Sequence, residues 1–304
     1  MRFLVTGGAG FIASHIVDRL IKEGHHVAIV DNLSSGKESN INPKAKLYKI
    51  DICDPGLETV FEVEKPDYVS HHAAQISVVI SVRDPQLDAQ INVIGALNVL
   101  QQCIKYNVKK LIFASTGGTV YGEPEYLPAD EKHPTKPLCP YAINKLTFEN
   151  YLYMYGVVYG LNYSVLRYAN VYGPRQDPHG EAGVIAIFTQ KIIDGVQPII
   201  FGDGKATRDY IFIDDVVDAN MIALEKGDRE IYNIGTAIET DVNEIFRLLK
   251  KEFGFSKDAI NGEKRPGELQ RISIANDKAK AELGWYPKYT LEQGIKKTAE
   301  YYKL

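Results

Sequence analysis

The sequence predicts an α/β fold: a doubly wound parallel sheet followed by a smaller C-terminal substrate-binding lobe. Three observations predict it. Short apolar runs alternate with helical patterns through the first half, the order that builds parallel strands with helices on both faces. The first apolar run, Phe3-Leu4-Val5, passes directly into Thr6-Gly7-Gly8-Ala9-Gly10. The 304 residues, 45% hydrophobic and 24% charged, suffice for one large core with a further lobe.

Phe3 to Val5 is a buried strand bounded by glycines. Gly8-x-Gly10-x-x-Ala13 then fits the dinucleotide fingerprint of Rossmann-type domains, and a helical pattern follows through Ile16, Val17, Leu20 and Ile21. Glycines there permit a tight turn and close approach of backbone to a pyrophosphate. The helix start offers it unpaired N–H groups. Val27 to Val30 is the second strand and ends in Asp31. An acid at that place accepts from ribose hydroxyls and repels a 2′-phosphate, which favours NAD over NADP. The same acid also suits the start of a turn. Asn32 to Gly36 forms a polar loop able to border the ribose.

Lys46 to Ile50 is the third strand, ending in Asp51-Ile52, and Asp67 to His71 the fourth. His72-Ala73-Ala74-Gln75 follows, with small residues that leave room for a ligand at the strand's carboxyl end. Gln86 to Tyr106 has helical spacing, through Ile91, Ile94, Leu97, Leu100 and Ile104. Lys110 to Ala114 is the fifth strand and runs into Ser115-Thr116-Gly117-Gly118; Tyr163 to Leu166 is another. Beyond Asn170 the pattern loosens. The expected division is a dinucleotide-binding domain over 1–170 and the lobe over 171–304, with segments near 209–235 returning to the larger domain.

Composition excludes several classes. Lys plus Arg number 35 against 39 Asp plus Glu, a net charge of −4, so no basic excess points to nucleic acid or an anionic membrane. The N-terminal stretch lacks the apolar run and cleavage site of a signal peptide, and no stretch is long enough to span a bilayer. The three cysteines and the pairs His25-His26 and His71-His72 show no metal-ligand spacing, so no metal is expected.

Tyr141-Ala142-Ile143-Asn144-Lys145 places a Tyr and a Lys on one helix face, one turn apart. A phenol with a pKa near ~10 is a poor base at neutral pH, and a nearby ammonium favours its phenolate. Such a pair can take a proton from an alcohol while a cofactor takes a hydride. Alone, Tyr-x-x-x-Lys equally describes an ordinary helix surface.

These motifs, in this order, resemble the extended short-chain dehydrogenase/reductases. Leu166-Arg167-Tyr168-Ala169-Asn170-Val171-Tyr172-Gly173-Pro174-Arg175 narrows the resemblance to the sugar-nucleotide branch. So do Phe201-Gly202-Asp203-Gly204, Arg208-Asp209-Tyr210, Asp214-Asp215-Val216, Arg265-Pro266-Gly267-Glu268 and Leu283-Gly284-Trp285. Within that branch the chain is most similar to the UDP-glucose 4-epimerases. The resemblance implies a cytoplasmic, homodimeric, NAD-dependent isomerase that interconverts UDP-galactose and UDP-glucose through a 4-keto sugar. The dimer would form through the helix from Pro140 and that from Gln86.

It also implies residue roles. Tyr141 would take the proton of the sugar 4-hydroxyl, Lys145 would lower its pKa and bind the nicotinamide ribose, and Thr116 would bond the same hydroxyl, with Ser115 as the fallback. Gly7, Gly10, Phe11, Ile12, Asp31, Asn32, Ser34, Ser35, Gly36, Asp51, Ile52, Ala73, Ala74, Gln75, Asn92 and Tyr168 would hold NAD with Tyr141 and Lys145. Asn170, Arg208 and Arg265 would hold the diphosphate and Glu268 the uridine ribose. Ala13, often glycine in this family, adds one tolerable methyl. Dehydratases of the branch carry an acid pair after the threonine, and glucuronate decarboxylases a Glu. Gly117-Gly118 can exchange no proton by side chain, which weighs toward epimerisation. The rival expectations are 4-epimerisation of UDP-N-acetylglucosamine or UDP-glucuronate, decarboxylation of UDP-glucuronate, or a non-catalytic NAD- or nucleotide-sensing protein.

Overall fold

The computed structural model describes residues 1–179, 183–264 and 269–303. The first half runs β1 (Arg2–Thr6), α1 (Phe11–Lys22), β2 (His26–Val30), β3 (Lys46–Tyr48), α2 (Leu57–Glu64), β4 (Tyr68–His71), α3 (Val78–Arg83), α4 (Pro85–Ala89), a π-helical stretch (Gln90–Gly95), α5 (Ala96–Lys105), β5 (Lys110–Thr116), α6 (Pro140–Tyr159) and β6 (Asn162–Tyr168). The second half runs β7 (Asn170–Tyr172), α7 (Val184–Ile193), β8 (Ile199–Phe201), β9 (Thr207–Arg208), β10 (Tyr210–Phe212), α8 (Ile213–Glu225), β11 (Glu230–Ile234), β12 (Thr240–Asp241), α9 (Val242–Phe253), β13 (Ile260–Gly262) and α10 (Leu291–Tyr302).

A seven-stranded sheet in the order β11-β6-β5-β4-β1-β2-β3 organises the molecule, and every pairing in it is parallel. Strand β1 shows why these runs become strands. Phe3 and Val5 enter the hydrophobic cluster with Ile16, Val17 and Leu20 of α1, whereas Leu4 enters the cluster with Phe61, Val99, Leu100 and Phe148 of α2, α5 and α6. A period of two with both faces apolar is what a strand covered by helices on both sides requires. Burying each such side chain contributes roughly 1.5–3 kcal/mol. The chain winds outward from β1 to β3, then crosses back to β4 on β1's other side. The strand order reverses there, so the carboxyl ends of β1 and β4 open a crevice.

Helix α6 starts with Pro140 in its first turn, where a missing N–H costs nothing, and stops at Gly160, which has φ 74°. Its buried face is Ala142, Lys145, Phe148, Glu149, Leu152, Tyr155 and Gly156. A lysine and a glutamate thus lie in an otherwise apolar stripe.

Several elements differ from expectation. The third strand ends at Tyr48, because Ile50 N turns back to Tyr48 O at 3.0 Å. The fifth runs on through Ser115 and Thr116, which pair with Arg167 and Tyr168 of β6. The helical stretch from Gln86 contains the π-helical turn, which a spacing of apolar residues does not reveal. Tyr232 to Ile234 lie in β11 at the edge of the large sheet. Tyr210 to Phe212 do not join that sheet; they form a separate parallel ladder with Asn170 to Tyr172, and α8 then packs on α1, β5 and β6. The pairs β9 with β12 and β8 with β13 complete the smaller sheets.

Candidate functional site

The turn after β1 is fixed by close approach. Gly7 has φ 70°, and a Cβ on it would lie 2.7 Å from Ala73 N and 2.9 Å from Ala73 Cα. Only glycine permits that backbone conformation so close to the end of β4. Gly10 N donates to Gly7 O, and Gly10 stands at the N-cap of α1 without a side-chain cap. The first N–H groups of α1, at Phe11 and Ile12, therefore lack an intrahelical or capping side-chain partner, the arrangement that binds phosphate.

Asp31 is 7% exposed, and its carboxylate accepts from Ala9 N at 2.9 Å and Leu33 N at 2.8 Å. It joins the glycine turn to the end of β2 and retains lone pairs for a ribose. Gly36 packs against the same carboxylate. Asn32 donates to Asp51 at 2.6 Å and accepts from Ser34 N, so the neighbouring loops hold one another. Asp51 also accepts from Cys53 N, Ile52 is buried, and Ser34 and Ser35 are exposed at the rim. This donor and acceptor set fits a dinucleotide: a free helix start for the pyrophosphate and a carboxylate for the ribose.

Across the crevice, Thr6 Oγ1 accepts from Ala73 N, and Ala73, Ala74 and Gln75 are half-buried. Asn92 is 4% exposed, and its amide reciprocates with Gln75: Oδ1 accepts from Gln75 N and Nδ2 donates to Gln75 O, both at 2.9 Å. Its remaining N–H goes to Asp88 Oδ1 at 3.0 Å. Both Asn92 donors are thus committed inside the protein, and Asn92 stands behind the loop as its support. Tyr168 gives and accepts similar ties: its hydroxyl lies 3.2 Å from His72 Nε2 and within hydrogen-bond reach of Asn220. Burial pushes His72 down to about 3, so that imidazole is neutral.

Lys145 is 3% exposed; its Nζ donates to Ala114 O at 3.0 Å, and it stands 5.8 Å from the Tyr141 ring centroid. Burial pushes its pKa down to about 8, against an upward pull from Asp88 and Glu149. Burial also pushes the Tyr141 phenol well above its usual value, and Asp88 and Cys139 add to that push. In the protein alone desolvation thus sets the direction for both members of the pair.

Strand alternation separates Ser115 from Thr116. Ser115 Oγ donates to Glu149 Oε1 at 2.5 Å, and that carboxylate also takes Arg167 Nε at 3.0 Å and a second guanidinium N–H at 2.5 Å. Glu149 and Arg167 are both 4% exposed. Thr116 Oγ1 lies on the other side, 3.0 Å from Thr119 Oγ1. A Cβ on Gly117 would meet Ile274 Cδ1 at 2.5 Å, whereas one on Gly118 would sit 3.5 Å from Asn170 Oδ1 and 4.0 Å from Thr116 Oγ1. Gly118 thus leaves open space bordered by Asn170 and Thr116. Arg208 lies in β9, donating to its neighbour Thr207 O and paired in register with Thr240. Arg265 and Glu268 lie outside the described residues.

Sequence reasoning missed Asp88, Asn144, Glu149 and Asp209. Asp209, next to Arg208, accepts from Thr236 N, Ala237 N and Ile274 N and so holds those two segments together. Asn144 stands inside the Tyr-x-x-x-Lys motif, and Asp88 lies four residues before Asn92 on one helix; those spacings were the available signal. Among the described residues no cluster of His, Cys, Asp and Glu could hold a metal ion, and no helix is long and apolar enough to cross a membrane.

Known proteins are similar to this chain over its whole length. A UDP-glucose 4-epimerase of Mycolicibacterium smegmatis is 43% identical over 309 residues, covering 100% of this chain and 99% of that protein. A UDP-glucose 4-epimerase from Thermotoga maritima, solved with UDP-glucose, superposes with a TM-score of 0.98 at 52% identity, covering 100% of this chain and 99% of that one. A Thermus thermophilus UDP-glucose 4-epimerase in complex with NAD gives a TM-score of 0.95 at 44% identity, covering 100% and 99%. The chain is an enzyme of the isomerase type. The model of the NAD dependent epimerase/dehydratase family matches residues 3–235, and the chain belongs to that family.

Proposed function

We propose that this chain is an NAD-dependent UDP-glucose 4-epimerase, interconverting UDP-galactose and UDP-glucose through a 4-keto sugar. The observation that carries the reading is Lys145 bound to Ala114 O of β5 and 5.8 Å from the Tyr141 ring, with Thr116 two residues on in the same strand and followed by a glycine pair that offers no acid for elimination. Gly7, Gly10 and the start of α1 would hold the pyrophosphate and Asp31 the ribose. When bound, oxidised NAD supplies a hydride acceptor and a cationic ring, the charge that favours a Tyr141 phenolate. Tyr141 would then take the proton of the 4-hydroxyl, with Thr116 orienting that hydroxyl and Lys145 stabilising the phenolate. The same tyrosine returns the proton after the keto sugar has presented its other face, so the net reaction is inversion. Because Ser115 is committed to Glu149, Thr116 is the hydroxyl assigned to the substrate.

We also propose a homodimer. Ile143, Tyr153, Met154 and Val157 leave α6 exposed and apolar beside Leu87 and Ile94, a face suited to a four-helix contact with a second copy. Light scattering during gel filtration tests this: a mass of one chain removes the dimer.

The reaction is tested by incubating the protein with UDP-galactose and no added cofactor, following UDP-glucose by chromatography. UDP-N-acetylgalactosamine and UDP-glucuronate run in parallel. Formation of UDP-glucose supports both the reaction and retained NAD. Turnover of a parallel sugar alone leaves the residue roles and replaces the substrate; silence with NAD added removes the reading.

A further inference from the structure

Asp88 is 0% exposed, in α4, and among the described residues no ammonium or guanidinium bonds to it. Amides hold it instead. Gln75 Nε2 donates to Oδ1 at 2.6 Å, Asn92 Nδ2 to Oδ1 at 3.0 Å, and Asn144 Nδ2 to Oδ2 at 2.6 Å. These amides come from three elements. Gln75 is in the loop after β4 at the crevice, Asn92 is in the π-helical turn, and Asn144 is on α6 between Tyr141 and Lys145. Two of them cannot turn over. Gln75 accepts from Ser77 N and donates to Ser77 O, and Asn92 is clasped by the Gln75 backbone. Both therefore present only N–H to position 88, and an acceptor is required there. A buried carboxylate without a counter-charge is costly unless hydrogen bonds satisfy it, so its presence calls for a role.

We propose that Asp88 is a positioning residue for the reaction: its carboxylate clamps the Gln75 loop to α6 and thereby sets where Tyr141 and Lys145 stand relative to the cofactor crevice. The clamp rests on the epimerase reading for its catalytic consequence. Its electrostatic consequence follows from the structure directly. Asp88 raises the pKa of Tyr141 and also that of Lys145. The other charged or titratable groups acting there are Cys139 on Tyr141, Glu149 on Lys145, and His71 and His72, which Lys145 in turn depresses. Both histidines are neutral, so Asp88 is the foremost negative charge on the pair.

The test separates clamp from charge. Asp88→Ala removes both and is expected to lower kcat about ten- to hundredfold, with KM for the UDP-sugar within about threefold. Asn144→Ala cuts only the arm to α6 and is expected to lower kcat by roughly five- to tenfold, and the double variant should be no worse than Asp88→Ala alone. Asp88→Asn keeps an acceptor for Gln75 and Asn92, and its amide can meet a turned Asn144. It should restore kcat at its own optimum to within about threefold while moving both limbs of the pH profile to lower pH by about one unit. A purely structural brace would not move both limbs in the same direction. Asp88→Ala with kcat within about twofold of the parent, or with its whole loss in KM, overturns the clamp.

A readout without sugar guards against the wrong substrate. The Tyr141 phenol is titrated by ultraviolet difference, each protein against its Tyr141→Phe counterpart. A lower midpoint in Asp88→Asn supports the proposal even if no UDP-sugar turns over, and an unchanged midpoint overturns the charge effect. Failure of the parent on every sugar with a shifted midpoint would sink the proposed reaction alone.

Discussion

Two buried carboxylates, Glu149 on α6 and Asp88 bonded to that helix through Asn144, are held in opposite ways. Glu149 faces Arg167 and Ser115 behind β5, with the guanidinium forming two bonds to it. Among the described residues Asp88 is held by amides alone. The first charge is paired where it stands, and it acts on Lys145 only after Asp88. The second is solvated by amides, and it acts on both Tyr141 and Lys145. Hydrogen bonding alone lets a protein bury a charge and still use it, whereas an ion pair weakens its reach.

The comparison makes predictions in pairs. The largest effect belongs to the reactive side: Tyr141→Phe should lower turnover by roughly 10²–10⁴-fold with the melting temperature unchanged, read by steady-state kinetics and calorimetry. A rate near that of the parent would take Tyr141 out of the base role. On the packed side, Glu149→Ala leaves Arg167 buried and unpaired, and denaturant unfolding should show a loss of about 3–5 kcal/mol. If the two variants exchanged signatures, the division of α6 into sides would be wrong.

Neighbours on β5 sharpen the same division. Thr116→Val should lower kcat about ten- to hundredfold without loss of stability, whereas Ser115→Ala should lose roughly 1–2 kcal/mol of stability and keep its kcat. The glycines after them split alike. Gly117→Ala collides with Ile274 and should cost about 1–3 kcal/mol, while Gly118→Ala finds space and should change stability by under about 0.5 kcal/mol. The smallest effect is the alkaline limb of the parent enzyme. Protonated Lys145 is lost as pH rises through about 8, so kcat should fall above that pH and hold below it. A limb that stays at the ordinary lysine value would show that the ammonium is not desolvated.

Much of the site on the cofactor side could be read from residue order because its physics is local. A strand, a positive-φ glycine and a helix start follow one another within Arg2 to Ile12, and Asp31 closes the unit one strand later. Such features depend on dihedral preference and short-range hydrogen bonds, which residue order states directly. The strand pattern is equally local, and so the sheet's first six strands were expected near their true places.

Other matters were decided by tertiary structure. Spacing could not say which of Ser115 and Thr116 is bonded to a buried carboxylate, because that depends on the strand continuing past Ala114 and on Glu149, 34 residues on. It could not show that Asp88 meets Asn144 across 56 residues, or that Ile274 forbids a side chain at Gly117. Nor did it settle that β11 closes the sheet while β10 pairs elsewhere. The sequence alone determined the chemistry available and the local turns that present it. Only the packed chain decided which buried charges are paired and which are held by amides, because that depends on neighbours far apart in the sequence and on water excluded between them.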